Sequence, residues 1–124
     1  MSGFAAGAVE LLDATKEVDI ETRSAKRTKH SVIIWVVVVD GAVYARSYLG
    51  KRGRWYRELL ARKEGTLVAK SKRIDVRPAQ VRSPALIRAV SDAFRKKYPR
   101  SGSSLEAMVR RDVLDTTLRL EPPS

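Results

Sequence analysis

Eight successive residues from Val32 to Val39, VIIWVVVV, are apolar, and the run ends at Asp40-Gly41. An unbroken apolar run of that length, bounded by a turn signal, predicts a strand buried on both faces. Asp-Gly predicts a two-residue type I′ hairpin, whose central residues both need positive φ. Ala42-Val43-Tyr44 is then the returning strand. Other segments alternate instead. Val18 to Thr22 reads apolar, polar, apolar, polar, which predicts a half-buried strand. Thr66–Lys70 and Arg73–Arg77 predict two strands around a Ser71-Lys72 turn, with Pro78 as the stop. The tail Thr116–Leu120 alternates weakly and predicts a last strand.

Between these segments the period lengthens to that of a helix. Phe4, Ala5, Ala8, Val9 and Leu12 share one face of a short first helix. Trp55, Leu59 and Leu60 do the same over Arg54–Lys63, where Glu58 and Arg62 stand four apart as a supporting pair. Gly65 is read as the residue just past that helix. Ser83-Pro84 opens a third helix with a serine cap and a proline at the first helical position. Its stripe runs from Leu86 to Phe94, and Pro99 closes it. Ser103 and Glu106 have the spacing of a capping box for a short fourth helix to about Arg110. The order is α-β-β-β-α-β-β-α-α-β. It predicts an α+β fold with six strands in a twisted, barrel-like antiparallel sheet. No repeat or linker interrupts residues 1–124, so one domain is expected.

Composition narrows the chemistry. The chain has no cysteine, which excludes disulfides, thiolate metal sites and thiol catalysis, and it has one histidine, His30. Lys and Arg number 25 against 14 Asp and Glu, a net charge of +11. That balance favours anionic partners: phosphates, nucleic acid or an acidic surface. The N-terminus lacks a basic stretch ahead of its apolar residues, and no apolar run approaches the ~20 residues of a spanning helix. A soluble cytoplasmic protein without membrane contact is the expectation.

The cations are concentrated after the hairpin. Arg46, Ser47, Lys51, Arg52 and Arg54 supply the charges and hydroxyl that a phosphate requires, Gly50 and Gly53 permit close backbone approach, and the helix starting at Arg54 offers free N–H groups. The alternative is a solvated basic loop. Charge reversal at Arg46 and Lys51 is expected to abolish ligand binding and spare the fold. Of the interleaved aromatics, Trp35 and Trp55 read as core, and Tyr48 as the one free to stack on a ring. His30, in the basic stretch ahead of the long strand, could move a proton, bind an anion or simply bond locally. No triad, nucleophile elbow or phosphate-binding glycine motif is present, so an enzyme of this sequence would leave its chemistry to a cofactor.

The string WVVVVDGAVYARSYLGKRGRWYREL, with AFRKKYPRSGSS and TTLRLEP near the C-terminus, resembles a bacterial family of unknown function related to the flavin-binding split barrels. Those include pyridoxamine-phosphate oxidase and the deazaflavin-dependent nitroreductases. The resemblance implies a six-stranded antiparallel split β-barrel with flanking helices, usually a homodimer. It implies FMN as cofactor, or a deazaflavin, or none. The flavin phosphate would lie at Ser47, Lys51, Arg52 and Arg54, with Arg46 nearby, Lys29 and His30 reaching toward phosphate or ring, and Trp35 beside the ring. The chain departs from the oxidase in having no cation between Val32 and Val39 and glycines in its loop, which speaks against pyridoxamine-phosphate oxidation. The reading is a small flavin-binding oxidoreductase of unknown substrate. The alternatives are a non-catalytic module for an anionic, phosphate-bearing small molecule, and a nucleic-acid binder. The last rests on ten cations from Arg46 to Arg73 against Glu58 and Glu64.

Overall fold

The Asp40-Gly41 turn forms as its sequence dictates, with φ of 50° and 79°. Around it, a computed structural model describing residues 3–123 shows seven strands and four helices. In chain order they are α1 (Ala6–Ala14), β1 (Val18–Arg23), β2 (Lys29–Ile34), β3 (Val36–Val39), β4 (Ala42–Ala45), α2 (Arg54–Arg62), β5 (Gly65–Ala69), β6 (Lys72–Gln80), α3 (Pro84–Lys97), α4 (Gly102–Val109) and β7 (Leu118–Glu121). Short 3-10 turns at Gly50–Arg52 and Arg111–Thr116 precede α2 and β7. All pairings are antiparallel, in the order β2-β1-β5-β6-β7-β4-β3. This is the expected α+β split barrel: a curled antiparallel sheet with flanking helices.

The seventh strand comes from the apolar run, which is two strands rather than one. β2 pairs with β1, β3 pairs with β4, and Trp35 is the corner between them. The two edges of the sheet are therefore consecutive in the chain and joined at Trp35. Its ring stacks on Tyr98, the residue just past α3, at 3.9 Å with 2° between planes. Burial follows the break. Val36 and Val43 face the barrel core, with Val18, Leu67 and Leu118. Val37 and Tyr44 point to the other face, where Phe94 and Val90 of α3 cover them. So β3 is buried on both faces, as expected of the whole run. β2 has no such cover, and its neighbours Val32 and Ile33, which point to opposite faces of the strand, are 44% and 56% exposed.

Other boundaries shift for local reasons. β6 runs through Pro78 because the strand changes partner there: Lys72–Val76 pair with β5, and Arg77–Gln80 with β7. The β5–β6 turn is Lys70-Ser71, both at positive φ, one residue before the expected pair. The left-handed residue ending α2 is Lys63, not Gly65. Gly65 serves close packing instead, since a Cβ there would lie 2.9 Å from Leu59 Cδ1 and 3.1 Å from the Glu21 carbonyl oxygen. Ser83 caps α3 as predicted, accepting from the Leu86 N–H at 3.3 Å. The capping box does not form: α4 begins at Gly102 after an N-cap Ser101 that makes no side-chain cap bond.

The end of α3 ties the corner down. Lys97 Nζ donates to the carbonyls of Val36 (2.7 Å) and Leu12 (2.9 Å), and Tyr98 donates its hydroxyl to the Lys16 carbonyl (2.6 Å). Burial pulls the Lys97 ammonium down to about 8, the charge of Asp13 opposing and that of Lys16 assisting. Burial pushes the Tyr98 phenol well up. Between pH 8 and 10 an unfolded chain holds a Lys97 proton that the folded one releases, so stability rises with pH in that window. Above pH 10 the raised Tyr98 reverses the trend. Urea midpoints at pH 7, 8, 9 and 10 are expected to show the wild type gaining on the order of 1–2 kcal/mol, allowing for the partial exposure of Lys97. The Lys97→Met variant should stay flat, and parallel profiles would contradict the assignment.

Candidate functional site

A cavity of about 620 Å³ opens where β2, the corner, the loop after β4, α2 and α4 converge. That is the size of a small-molecule site. Its apolar wall is Val32, Ile33, Trp35, Tyr48, Leu49 and Trp55. The four large apolar residues most exposed among those described, Val32, Ile33, Tyr48 and Leu49, all border it. Trp55, read as core, is buried in the barrel cluster and also reaches this wall.

The polar end forms where the chain leaves β4 and enters α2. Ser47 is fixed by its backbone N–H, which donates to Thr116 Oγ1 at 3.1 Å. Its hydroxyl makes no hydrogen bond to another described residue. Ser47 is 1% exposed, and a Cβ on residue 53 would stand 2.3 Å from that oxygen, so the hydroxyl packs against Gly53 in a contact that only glycine allows. Gly53 is also the N-cap of α2 and supplies no side-chain cap, leaving the first-turn N–H groups available to an anion. Arg54, the first residue of α2, is exposed on the same cavity.

His30 borders the cavity and is engaged from behind. Its Nδ1 lies 3.0 and 3.1 Å from the two carboxylate oxygens of Glu58, and Oε1 also accepts from Thr22 Oγ1 at 2.8 Å. An ionised carboxylate only accepts, so Nδ1 carries the proton and donates, leaving Nε2 as the free nitrogen. Burial pushes the Glu58 carboxyl up, but hydrogen bonds from His30 and Thr22, with the charges of His30 and Arg54, outweigh it and hold it below its ordinary value. Glu58 thus serves His30 rather than the expected partner Arg62. Nothing in the sequence joins positions 22, 30 and 58. The register does, because Thr22 is paired with His30 across β1–β2 and α2 packs over both strands.

The eight residues singled out from the sequence divide. His30, Trp35, Arg46, Ser47 and Arg54 line this cavity. Lys51 is turned to Asp115 at 3.2 Å, and Arg52 is exposed outside it. Lys29 lines a different groove. Arg46 is 1% exposed and committed to protein acceptors: Nε to Thr117 Oγ1 (2.8 Å), one terminal nitrogen to Ser91 Oγ (2.8 Å) and the Met108 carbonyl (3.1 Å), the other to the Ile87 carbonyl (2.8 Å). Charge reversal there would break the fold, contrary to the expectation that it would spare it. Ser103 and Ser104 of α4 also reach the cavity, a contribution that only the packing of α4 on α3 creates.

Solved structures share this fold across nearly the whole chain. HutZ, the heme storage protein of Vibrio cholerae, superposes with a TM-score of 0.66 at 12% identity, over 98% of this chain and 92% of its own. A Listeria innocua protein assigned by its name to the pyridoxamine 5′-phosphate oxidases gives 0.67 at 10% identity, over 95% and 92%. An F420-H2-dependent reductase gives 0.62 at 16% identity, over 85% and 93%. Among curated proteins none matches in sequence. Among the described residues no helix is long and apolar enough to cross a membrane, and no cluster of three or more metal-ligating side chains occurs. The uncharacterised proteins conserved in bacteria that form the DUF2255 family match residues 8–120, and the chain belongs to that family.

Proposed function

We propose that the protein binds FMN, or a deazaflavin in its place, in the cavity at the Trp35 corner, and acts as a small oxidoreductase. One observation carries this reading: an apolar, aromatic-walled space ends in an uncapped helix N-terminus and an exposed arginine, with the Ser47 hydroxyl packed beside them on Gly53. That donor set suits a planar ring bearing a phosphate tail. Ser47, Arg54 and the first N–H groups of α2 would hold the phosphate, and Trp35, Tyr48 and Trp55 would face the ring. Arg46 acts at one remove, by fixing the β4 end from which Ser47 projects. A flavin supplies hydride and electron transfer when bound. The chain's own contribution is to bind, to exclude water with Val32 and Ile33, and to carry a proton on His30 Nε2. The exposed edge strand β2 is also the surface over which two copies would pair.

The kinship in fold with the Listeria protein and the F420-H2-dependent reductase supports the choice of cofactor class. The test is a titration of the full chain with FMN, a deazaflavin and haem, read by absorbance after desalting, with gel filtration of the same samples. Retained flavin or deazaflavin in a dimer is expected, with Arg54→Glu weakening it at least tenfold, about 1.4 kcal/mol. Arg54 is exposed, so the variant keeps its fold. A Soret band on adding haem, with neither flavin retained, would overturn the proposal, as would an Arg54→Glu variant that binds like the wild type.

A further inference from the structure

We propose a second anion site, separate from the cavity at Trp35, that takes a short chain of linked phosphates. It is a groove of about 610 Å³ between the open end of β1–β2 and the C-terminal end of α2. Six cations line it: Arg23, Lys29, Arg62, Lys63, Arg73 and Arg77. Three carboxylates line it as well, and two are already engaged. Glu21 is held by Arg73 at 2.7 Å, and Asp75 accepts from Thr66 Oγ1 at 3.0 Å. The third is Glu64.

Four of the cations have no carboxylate within 4.0 Å among the described residues: Arg23, Lys29, Arg62 and Lys63. For Arg62 and Lys63 the end of α2 is partial compensation, because helix carbonyls favour positive charge there. Arg23 and Lys29 feel the Glu21 carboxylate only at longer range, and Arg23 donates to the Arg27 carbonyl at 3.1 Å. They are direct partners across β1–β2, and like charges in that position repel and destabilise a sheet. An anion between them would convert the repulsion into a binding term. On the groove wall, the Arg77 Nε–H is buried and has no acceptor among the described residues. The side chain also lies 3.5 Å from Glu121.

The lining also says what the ligand is not. Among the described residues no aromatic side chain borders the groove, and Val76 and Pro123 are its only large apolar members. A base or a ring would find nothing to stack on, so recognition falls on charge alone. Cations on both walls match an anion with several charged groups in series. A free polyphosphate and the tail of a nucleoside triphosphate share that chemistry.

Tripolyphosphate, ATP and inorganic phosphate titrated calorimetrically into the full chain at low salt test this. Tripolyphosphate is expected to bind at least tenfold more tightly than phosphate. ATP matching tripolyphosphate or falling below it assigns the free chain as the source; ATP tenfold tighter assigns the nucleotide. The double variant Arg23→Gln, Lys29→Gln should lose at least tenfold in tripolyphosphate affinity and keep or raise its thermal midpoint, since a repulsive pair is removed. Arg62→Gln with Lys63→Gln should lose affinity from the opposite wall. Arg88→Gln with Lys96→Gln removes equal charge from α3 and should change affinity less than twofold. Tripolyphosphate no tighter than phosphate, or an equal loss in the α3 variant, would overturn the site.

Discussion

Replacing Arg46 with alanine is expected to cost about 3–5 kcal/mol of folding stability, the range of a large-to-small change in a core that also strands buried polar groups. Arg46 is among the largest fully buried side chains, and no carboxylate pairs with it among the described residues. Burial, with the charge of Arg95, lowers its pKa to about 10, so it remains a cation at neutral pH. It holds its charge by donating to four neutral acceptors on three elements. Ser91 and the Ile87 carbonyl are on α3, the Met108 carbonyl is on the last turn of α4, and Thr117 precedes β7. The α4 carbonyl is one that a helix end leaves without an intrahelical partner, and the guanidinium supplies it. Its plane also lies over the Phe94 ring at 5.5 Å. One side chain thus bolts both C-terminal helices to the barrel. Arg46→Met keeps most of the volume and removes the desolvated charge, so it should lose only about 1–3 kcal/mol. Arg46→Lys offers one point donor in place of a fork and should not restore the wild type. Urea denaturation orders the variants. A loss under about 1 kcal/mol for Arg46→Ala would show the network to be dispensable.

The same residue marks where sequence reading stops. A hairpin turn, a serine cap and the period of a helix are local, and each was legible: Asp40-Gly41, Ser83-Pro84 and the α3 stripe form as read. The loop from Arg46 to Arg54 also reads as charged and glycine-bracketed. Its cations differ by what lies opposite each in space. Arg46 meets α3 and α4, Lys51 meets Asp115, and only Arg54 of the arginines and lysines after Ser47 reaches the cavity. Those neighbours are 40 to 70 positions away and set by topology. The break at Trp35 has the same origin. Eight apolar residues cannot report that the first half joins β1 and the second β4, since both halves have the hydrophobicity of a strand. The cover of α3 on one half alone leaves Val32 and Ile33 exposed, and with them the wall of the site.

Removing the Glu58 carboxylate should produce the second large effect, split between stability and activity. Thr22 is nearly fully buried and its hydroxyl donates to Glu58, as does His30 Nδ1. Glu58→Ala leaves both donors unmet, a loss of about 1–3 kcal/mol. Glu58→Gln keeps an acceptor and loses the charge, so its cost should be smaller and show in the pH profile. The folded carboxyl titrates below its ordinary value near 4.5. Its contribution is therefore complete above that value and disappears as pH falls through the lower, folded pKa. The stability gap between wild type and Glu58→Gln should close as the solution is acidified below 4.5. A gap that persists at pH 3 would mean the carboxylate stabilises through packing alone. In activity, Glu58 is a positioning residue: it fixes which nitrogen of His30 holds the proton. Glu58→Gln is expected to lower the rate about tenfold with cofactor affinity unchanged, and His30→Ala about a hundredfold or more, the usual worth of a placed acid or base. A purely structural role would lower the amount of folded enzyme and leave the rate per folded molecule unchanged.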